Sequence, residues 1–234
     1  MLIRHLMQEA WTCAPERRGN RMRIAVAGGT GVVGRHAVEA ARAAGHEVVV
    51  LSRSSGADVL TGAGLDERMQ GADAVIDVTN TTTLSAAKAV KFFETATRNL
   101  LAAESRAGVT HHVALSIVGI DGIDASYYAG KLAQERAVAA GSVPFTIARA
   151  GQFHEFAGQL LSRMSGPVAV LPKLLMRPVA AREVGEHLVR VAEGAPAGRA
   201  SDLVGPRNEV LADVARRQLA VSYTHLTLPT ILLV

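Results

Sequence analysis

Residues 25–36 of this 234-residue chain read AVAGGTGVVGRH, a glycine-rich turn that leaves a short apolar run and opens a helical pattern. Few features restrict a fold more. An apolar run such as RIAVA (23–27) marks a buried strand. A strand that passes through a glycine turn straight into a helix begins a βαβ unit with a phosphate-binding mouth. Gly28 and Gly31 allow a tight turn in which backbone approaches a pyrophosphate with no Cβ in the way, and Gly34 permits close packing of helix on strand. Thr30, Val32 and Val33 complete the turn and the first helical residues, whose free N–H groups and partial positive charge suit phosphate. Both GxGxxG at 29, 31 and 34 and GxxGxxG at 28, 31 and 34 fit the residues.

The pattern then alternates. Thr30 to Ala44 reads as a helix closed by Gly45, EVVVL (47–51) as a strand, Leu65–Gln70 as a short helix and AVIDV (74–78) as a strand. Ser85 to Ala107 is a long helical stretch before Gly108, HHVALS (111–116) a strand, Tyr127–Ala140 a helix and FTIAR (145–149) a strand after Pro144. Strands that are apolar throughout and separated by helices predict a parallel sheet covered on both faces. Right-handed crossovers place the C-terminal strand ends along one edge, where ligands bind. Beyond Arg149 the pattern loosens into a helix over 152–164, a strand at MRPVA (176–180), an amphipathic helix from Arg182 expected to pack a C-terminal lobe, and a last strand and helix in SDLVG and NEVLADVARRQLA.

The expected fold is therefore α/β: a Rossmann-type doubly wound parallel sheet over 22–150 with a small C-terminal substrate lobe over 151–220. Residues 1–21 read as an extension, with Met22 as the expected natural start. At the other end VSYTHLTLPTILLV (221–234) departs from the Ala/Gly/Arg/Val bias before it. Its SYTHLTLPT segment looks like translated sequencing-adapter sequence, so a non-native tail and a truncated lobe are expected; a terminal β-segment containing Pro229 is the alternative.

Composition excludes several classes. Hydrophobic residues at 49% and charged residues at 20% suit a globular chain rather than a disordered one. The net charge of +4 is scattered, which gives little support for nucleic-acid binding. A single cysteine, Cys13, excludes an internal disulfide framework and fits a reducing, cytoplasmic compartment. No run approaches the ~18 apolar residues of a membrane span.

Two arginines suggest which dinucleotide is held. An NAD site usually carries an acid at the end of the second strand for the ribose 2′-hydroxyl. Here Ser52-Arg53-Ser54 stands instead, with no acid before Asp58. Arg53, helped by Arg35 directly after the third glycine, offers planar forks for a 2′-phosphate. NADP is the expected cofactor, with NAD as the alternative.

Tyr127 and Lys131 are four apart and share a helical face. An ammonium beside a phenol favours the phenolate and lowers a pKa that is ordinarily near 10. Ser116, at the end of the preceding strand, points to the same cleft and suits a substrate carbonyl oxygen. Tyr128 is also within a turn of Lys131. Of 25 basic residues only Lys88, Lys91, Lys131 and Lys173 are lysine, so a lysine at this place carries weight. His111 and His112 are adjacent on a strand and face opposite ways, so no metal site is expected. Gln152, Phe153 and His154 follow the last core strand, where this fold lines its substrate. Asn80-Thr81-Thr82 matches a glycosylation acceptor, but nothing suggests secretion.

AVAGGTGVVGRH, GADVLTGAGL, VIDVTN, VALSIVGID, YYAGKLAQE and ARAGQFHEF follow one another in the order of atypical short-chain dehydrogenase/reductases. Over Arg23 to about Ala220 the chain resembles most the NmrA-like, NAD(P)-binding branch of that group. The resemblance implies that Asp58 and Val59 contact adenine, that Thr79 and Asn80 line the cofactor channel, and that Lys131 holds ribose. It implies Ser116, Tyr127 and Lys131 as the acid/base site for hydride transfer. The function it implies is an NADP-preferring oxidoreductase acting on a small carbonyl, enone or quinone-like substrate. Two alternatives stay open: a regulator that senses NAD(P) without turnover, and a sugar-nucleotide epimerase or dehydratase, ranked lower because that activity usually needs a larger C-terminal lobe. Relatives commonly form homodimers through the helices expected over 85–107 and 127–140.

Overall fold

A computed structural model describes residues 21–162, 168–171, 174–222 and 230–233. Strand and helix alternate as β1 (Arg23–Ala27), α1 (Val32–Ala43), β2 (Glu47–Leu51), α2 (Leu65–Met69), β3 (Ala74–Asp77), α3 (Ala86–Ala107), β4 (His111–Ile117), α4 (Ser126–Ala139) and β5 (Phe145–Ala150). There follow α5 (Glu155–Leu161), β6 (Val168–Leu171), β7 (Leu175–Met176), α6 (Ala181–Glu193), β8 (Gly198–Arg199), β9 (Glu209–Val210), α7 (Leu211–Ser222) and β10 (Thr230–Leu233).

Six strands form one sheet in the order β2-β1-β3-β4-β5-β8, every pair parallel. Because β1 lies between β2 and β3, the winding reverses there, and a crevice opens at their C-terminal ends. Alternate residues of β1 serve opposite faces. Ile24 and Val26 pack with Val33, Ala37 and Val38 of α1 and with Val184 and Leu188 of α6. Ala25 and Ala27 pack with Leu65 and Met69 of α2 and with Leu100 and Ala103 of α3. Both faces are covered, so the doubly wound parallel architecture expected from the strand pattern is the one observed.

Helix α4 lies close against α3, and Gly130 is the reason. A Cβ there would stand 2.7 Å from both Ala89 Cβ and Phe93 Cδ2. The bare backbone lets the helix that carries Tyr127 and Lys131 settle against the one that carries Phe93.

Differences from expectation gather after β5. Helix α6 does not pack a separate lobe; it covers the sheet beside α1, burying Ala181, Val184, Gly185, Leu188, Val189 and Ala192. Its apolar stripe was legible, but a stripe does not name its partner. The strand expected at 176–180 shrinks to Leu175–Met176, antiparallel to β9, and Val179 makes only an isolated bridge to Phe153. Pro178 has no N–H with which to extend the ladder. In SDLVG only Leu203 bridges, to Ala150, while the sixth sheet strand is the two-residue β8, too short to show a period. The helix expected over 152–164 is Glu155–Leu161, and residues 163–164 lie outside the described residues. Ala157, Leu171, Met176, Leu211, Val214 and Ala215 make a small second core. Thr230–Leu233 of the expected tail pairs in parallel with β6, and the extension over 1–20 lies outside the described residues. Among the described residues no helix is long and apolar enough to cross a membrane.

Candidate active site

The glycine turn fits a pyrophosphate by its backbone. Gly28 has φ +80°, and a Cβ there would lie 2.8 Å from the Val78 carbonyl oxygen, so neither conformation nor space admits a side chain. Its carbonyl accepts the Gly31 N–H at 2.9 Å. Gly31 is the N-cap of α1 and supplies no capping side chain, which leaves the first N–H groups of the helix open. A Cβ on Gly34 would overlap the Gly28 carbonyl oxygen. The working motif is thus GxxGxxG at 28, 31 and 34. Gly29 is buried beneath the turn, Thr30 is exposed on it, and Val33 is drawn into the core under α1.

At the end of β2 the chain makes a short turn over Arg53–Ser55. The Ser55 hydroxyl donates to Val50 O at 2.8 Å, and the Ser52 and Ser54 hydroxyls lie 2.9 Å apart. Arg53 and Arg35 are exposed, and neither guanidinium has an ion-pair or hydrogen-bond partner among the described residues. The nearest acid in sequence, Asp58, is turned onto its own loop and accepts the Leu60 N–H at 2.8 Å. Asn99 of α3 donates to Val59 O at 2.9 Å and so fastens this loop to α3.

The glycine turn, the end of β3 and α4 meet in sequence. Val78 and Thr79 abut Gly28. Asn80 follows, and its Oδ1 accepts the Tyr127 hydroxyl at 2.8 Å. The Ser126 hydroxyl donates to Leu84 O at 3.0 Å, tying the loop after β3 to the start of α4. Ser126 is the one non-glycine residue with positive φ, at 52°, among those described. Ser116 is 2% exposed and Thr79 6%, and neither hydroxyl has a hydrogen-bond partner among the described residues. Two unsatisfied buried hydroxyls at adjacent strand ends are costly unless something polar meets them. Together with the bare cradle over Gly28 and Gly34, they fit a dinucleotide lying along this edge.

The Tyr127–Lys131 pair differs from expectation. Burial, then the neighbouring Tyr128 and the charge of Asp77, push the Tyr127 phenol above its ordinary value rather than below it. Its ring packs edge-on against Phe93 and Tyr128. The Lys131 ammonium is 3% exposed and committed elsewhere: it donates to Leu115 O at 2.6 Å and to Gln134 Oε1, and stands 4.6 Å from the Phe93 ring centroid. Burial pulls its pKa down to about 8, against the raising effect of Asp77 and Glu135. The structure therefore brings Tyr127 to Asn80, and Lys131 to a buried polar chain behind it. The helical spacing was right about the shared face, but spacing carries no information on which acceptors compete for the ammonium.

Several residues of the site escaped the sequence. Arg149, at the end of β5 and 3% exposed, grips Glu135 of α4 through Nε and Nη2 at 2.8 and 2.7 Å and Asp121 through both terminal nitrogens. These hydrogen bonds hold the Asp121 carboxyl below its usual range and keep Arg149 firmly charged. The loop between β4 and α4 is pinned as a result. A charged residue closing an apolar strand was the available signal. Past β5, Gln152 and Phe153 are half-buried, and Gln152 O accepts the Val179 N–H at 3.0 Å. His154 is exposed as the residue before α5. His111 and His112 do face opposite ways, to Thr146 and to Glu104.

Residues 24–140 match the family model described as the NAD dependent epimerase/dehydratase family. No curated protein matches the chain in sequence. Among solved structures, the Bordetella bronchiseptica enzyme WbmH in complex with NAD+ is similar at TM-score 0.73 and 15% identity, over 92% of this chain and 86% of that one. The Thermus thermophilus UDP-glucose 4-epimerase complex with NAD is similar at 0.69 and 17%, over 90% and 86%. A nucleoside-diphosphate-sugar epimerase from Pseudomonas aeruginosa is similar at 0.69 and 22%, over 92% and 81%. At such identities the likeness is one of fold. The match to the family model spans half of the chain, from the first strand to the end of the helix that carries Tyr127, and on it the chain belongs to the NAD dependent epimerase/dehydratase family.

Proposed function

We propose that this chain is an NADP-preferring oxidoreductase of the NmrA-like kind, which reduces a small carbonyl, enone or quinone-like substrate. The observation that carries the preference is the pair Arg35 and Arg53, exposed and unpartnered among the described residues, beside a glycine turn with no acid at the end of β2. An arginine left without a carboxylate is free to fork onto a 2′-phosphate. The dinucleotide, when bound, supplies or accepts the hydride. The chain does the rest. The N–H groups at the start of α1 and the bare backbone of Gly28 and Gly34 receive the pyrophosphate, and Asp58 and Val59 flank the adenine. Ser116 offers a hydroxyl to the substrate oxygen, and Tyr127, kept protonated by its burial, has a proton to give as that oxygen gains charge. Gln152, Phe153 and His154 line the substrate side.

The reading is tested by fluorescence titration of NADPH and NADH with wild type, Arg35→Ala and Arg53→Ala, followed by NADPH oxidation over a quinone and aldehyde panel. Each substitution is expected to weaken NADPH by about tenfold, or 1.4 kcal/mol, and to leave NADH unchanged. Tighter binding of NADH by wild type would overturn the preference. A second reading is favoured by the family and by the neighbours' names: a sugar-nucleotide epimerase or dehydratase, for which UDP-sugars join the panel. Binding of the dinucleotide with no turnover of any substrate would instead favour a cofactor-sensing regulator. A homodimer through the outer faces of α3 and α4 belongs to the same proposal and is read by light scattering.

A further inference from the structure

Tyr127, Lys131 and Gln134 stand at i, i+4 and i+7, one face of α4. Gln134 is 1% exposed and uses both ends of its carboxamide. Its Oε1 accepts from the Lys131 ammonium, and its Nε2 donates to Asp77 Oδ2 at 2.7 Å. The other oxygen of Asp77, which is wholly buried, accepts the Thr79 N–H at 2.9 Å. Thr79 adjoins Asn80, whose carboxamide accepts the Tyr127 hydroxyl. The bonds close a ring that leaves α4 at Gln134, crosses the end of β3 and returns to α4 at Tyr127. A neutral amide suits this junction because it accepts from a cation and donates to an anion without adding charge. A glutamate would face Asp77 with like charge, and an apolar residue would leave a buried ammonium and a buried carboxylate each one bond short.

We propose that Gln134 and Asp77 are positioning residues that act through the Thr79–Asn80 segment to hold the Tyr127 hydroxyl at the cleft, while Gln134 draws Lys131 back from it. The proposal rests on the redox reading above only for the use to which that hydroxyl is put.

The test is carbon-13 NMR of the full chain labelled at tyrosine Cζ. The chain has three tyrosines, so signals are few, and Tyr127→Phe identifies the one that matters. Gln134→Met keeps the length of the side chain and removes both hydrogen bonds. The Tyr127 signal is expected to leave its wild-type position and move toward its position in Asn80→Ala, although Gln134 bonds to neither Tyr127 nor Asn80, while the Tyr128 signal stays in place. A folded Gln134→Met whose Tyr127 signal is unmoved overturns the proposal. Should that variant fail to fold, Asp77→Asn takes its place: it presents an amide N–H to the Gln134 donor and breaks the same ring, with the same two outcomes. The measurement needs neither dinucleotide nor substrate. Its failure therefore leaves the redox reading standing, and an expected NMR response with no NADPH oxidation strikes that reading instead.

Discussion

Single atoms decide most of what this site can do. Gly34 has room for hydrogen and nothing larger, because a methyl group would overlap the Gly28 carbonyl oxygen. Gly34→Ala is expected to weaken NADPH binding by tenfold or more, about 1.4 kcal/mol at least, in a chain whose circular dichroism stays that of wild type. Fluorescence titration measures it. Lys131 carries a pH dependence of unusual sign. Burial lowers its folded pKa from 10.5 to about 8, so between those values the unfolded chain binds more protons than the folded one. Stability therefore rises with pH across that window, by up to about 3 kcal/mol on this residue's account. Urea denaturation from pH 7.5 to 10.5 is expected to show the rise in wild type and not in Lys131→Met.

At the scale of elements, the region under α3 and α4 is joined by buried polar contacts as well as by apolar packing. His112 of β4 and Glu104 of α3 are both fully buried, with His112 Nδ1 2.8 Å from Glu104 Oε1. Burial works against the imidazolium, but the charge and hydrogen bond of Glu104, helped by Asp77, outweigh it and raise the pKa of His112. A raised histidine stabilises the fold fully below its unfolded value of 6.5, and that stabilisation is lost as pH climbs through the folded value. Glu104→Ala leaves His112 without its counter-charge and is expected to cost about 3–5 kcal/mol in urea denaturation at pH 6, with the loss shrinking as pH rises. The same elements show where sequence patterns carry far and where they stop. Strand β1 runs over the residues its apolar run indicated, because a buried parallel strand needs an unbroken run of such side chains. Helix α6 showed its stripe without its partner, and β8 is held by its neighbour β5 rather than by any propensity of Gly198 and Arg199.

Across the whole molecule, the crevice between β1 and β3 collects the glycine turn, Asn80 and Tyr127 from segments up to about a hundred residues apart. A ligand that binds only this assembled edge stabilises the fold by mass action. NADPH at a hundredfold excess over its dissociation constant is expected to add about 2.7 kcal/mol, read as a rise in melting temperature by differential scanning fluorimetry. Arg35→Ala combined with Arg53→Ala is expected to bring the NADPH shift down to that of NADH.

The order of elements as far as β5 and the glycine cradle lay in the sequence, because strand burial, turn conformation and helical spacing are local properties of neighbouring residues. The partners of the polar side chains did not. Tyr127 bonds to Asn80, Lys131 to Leu115 O and Gln134, and Arg149 to Asp121 and Glu135. A polar group buried by the fold must take whichever acceptor or donor the packing brings within reach. Only the approach of α4 to α3 over Gly130, and of both helices to the ends of β3 and β4, settled which those would be.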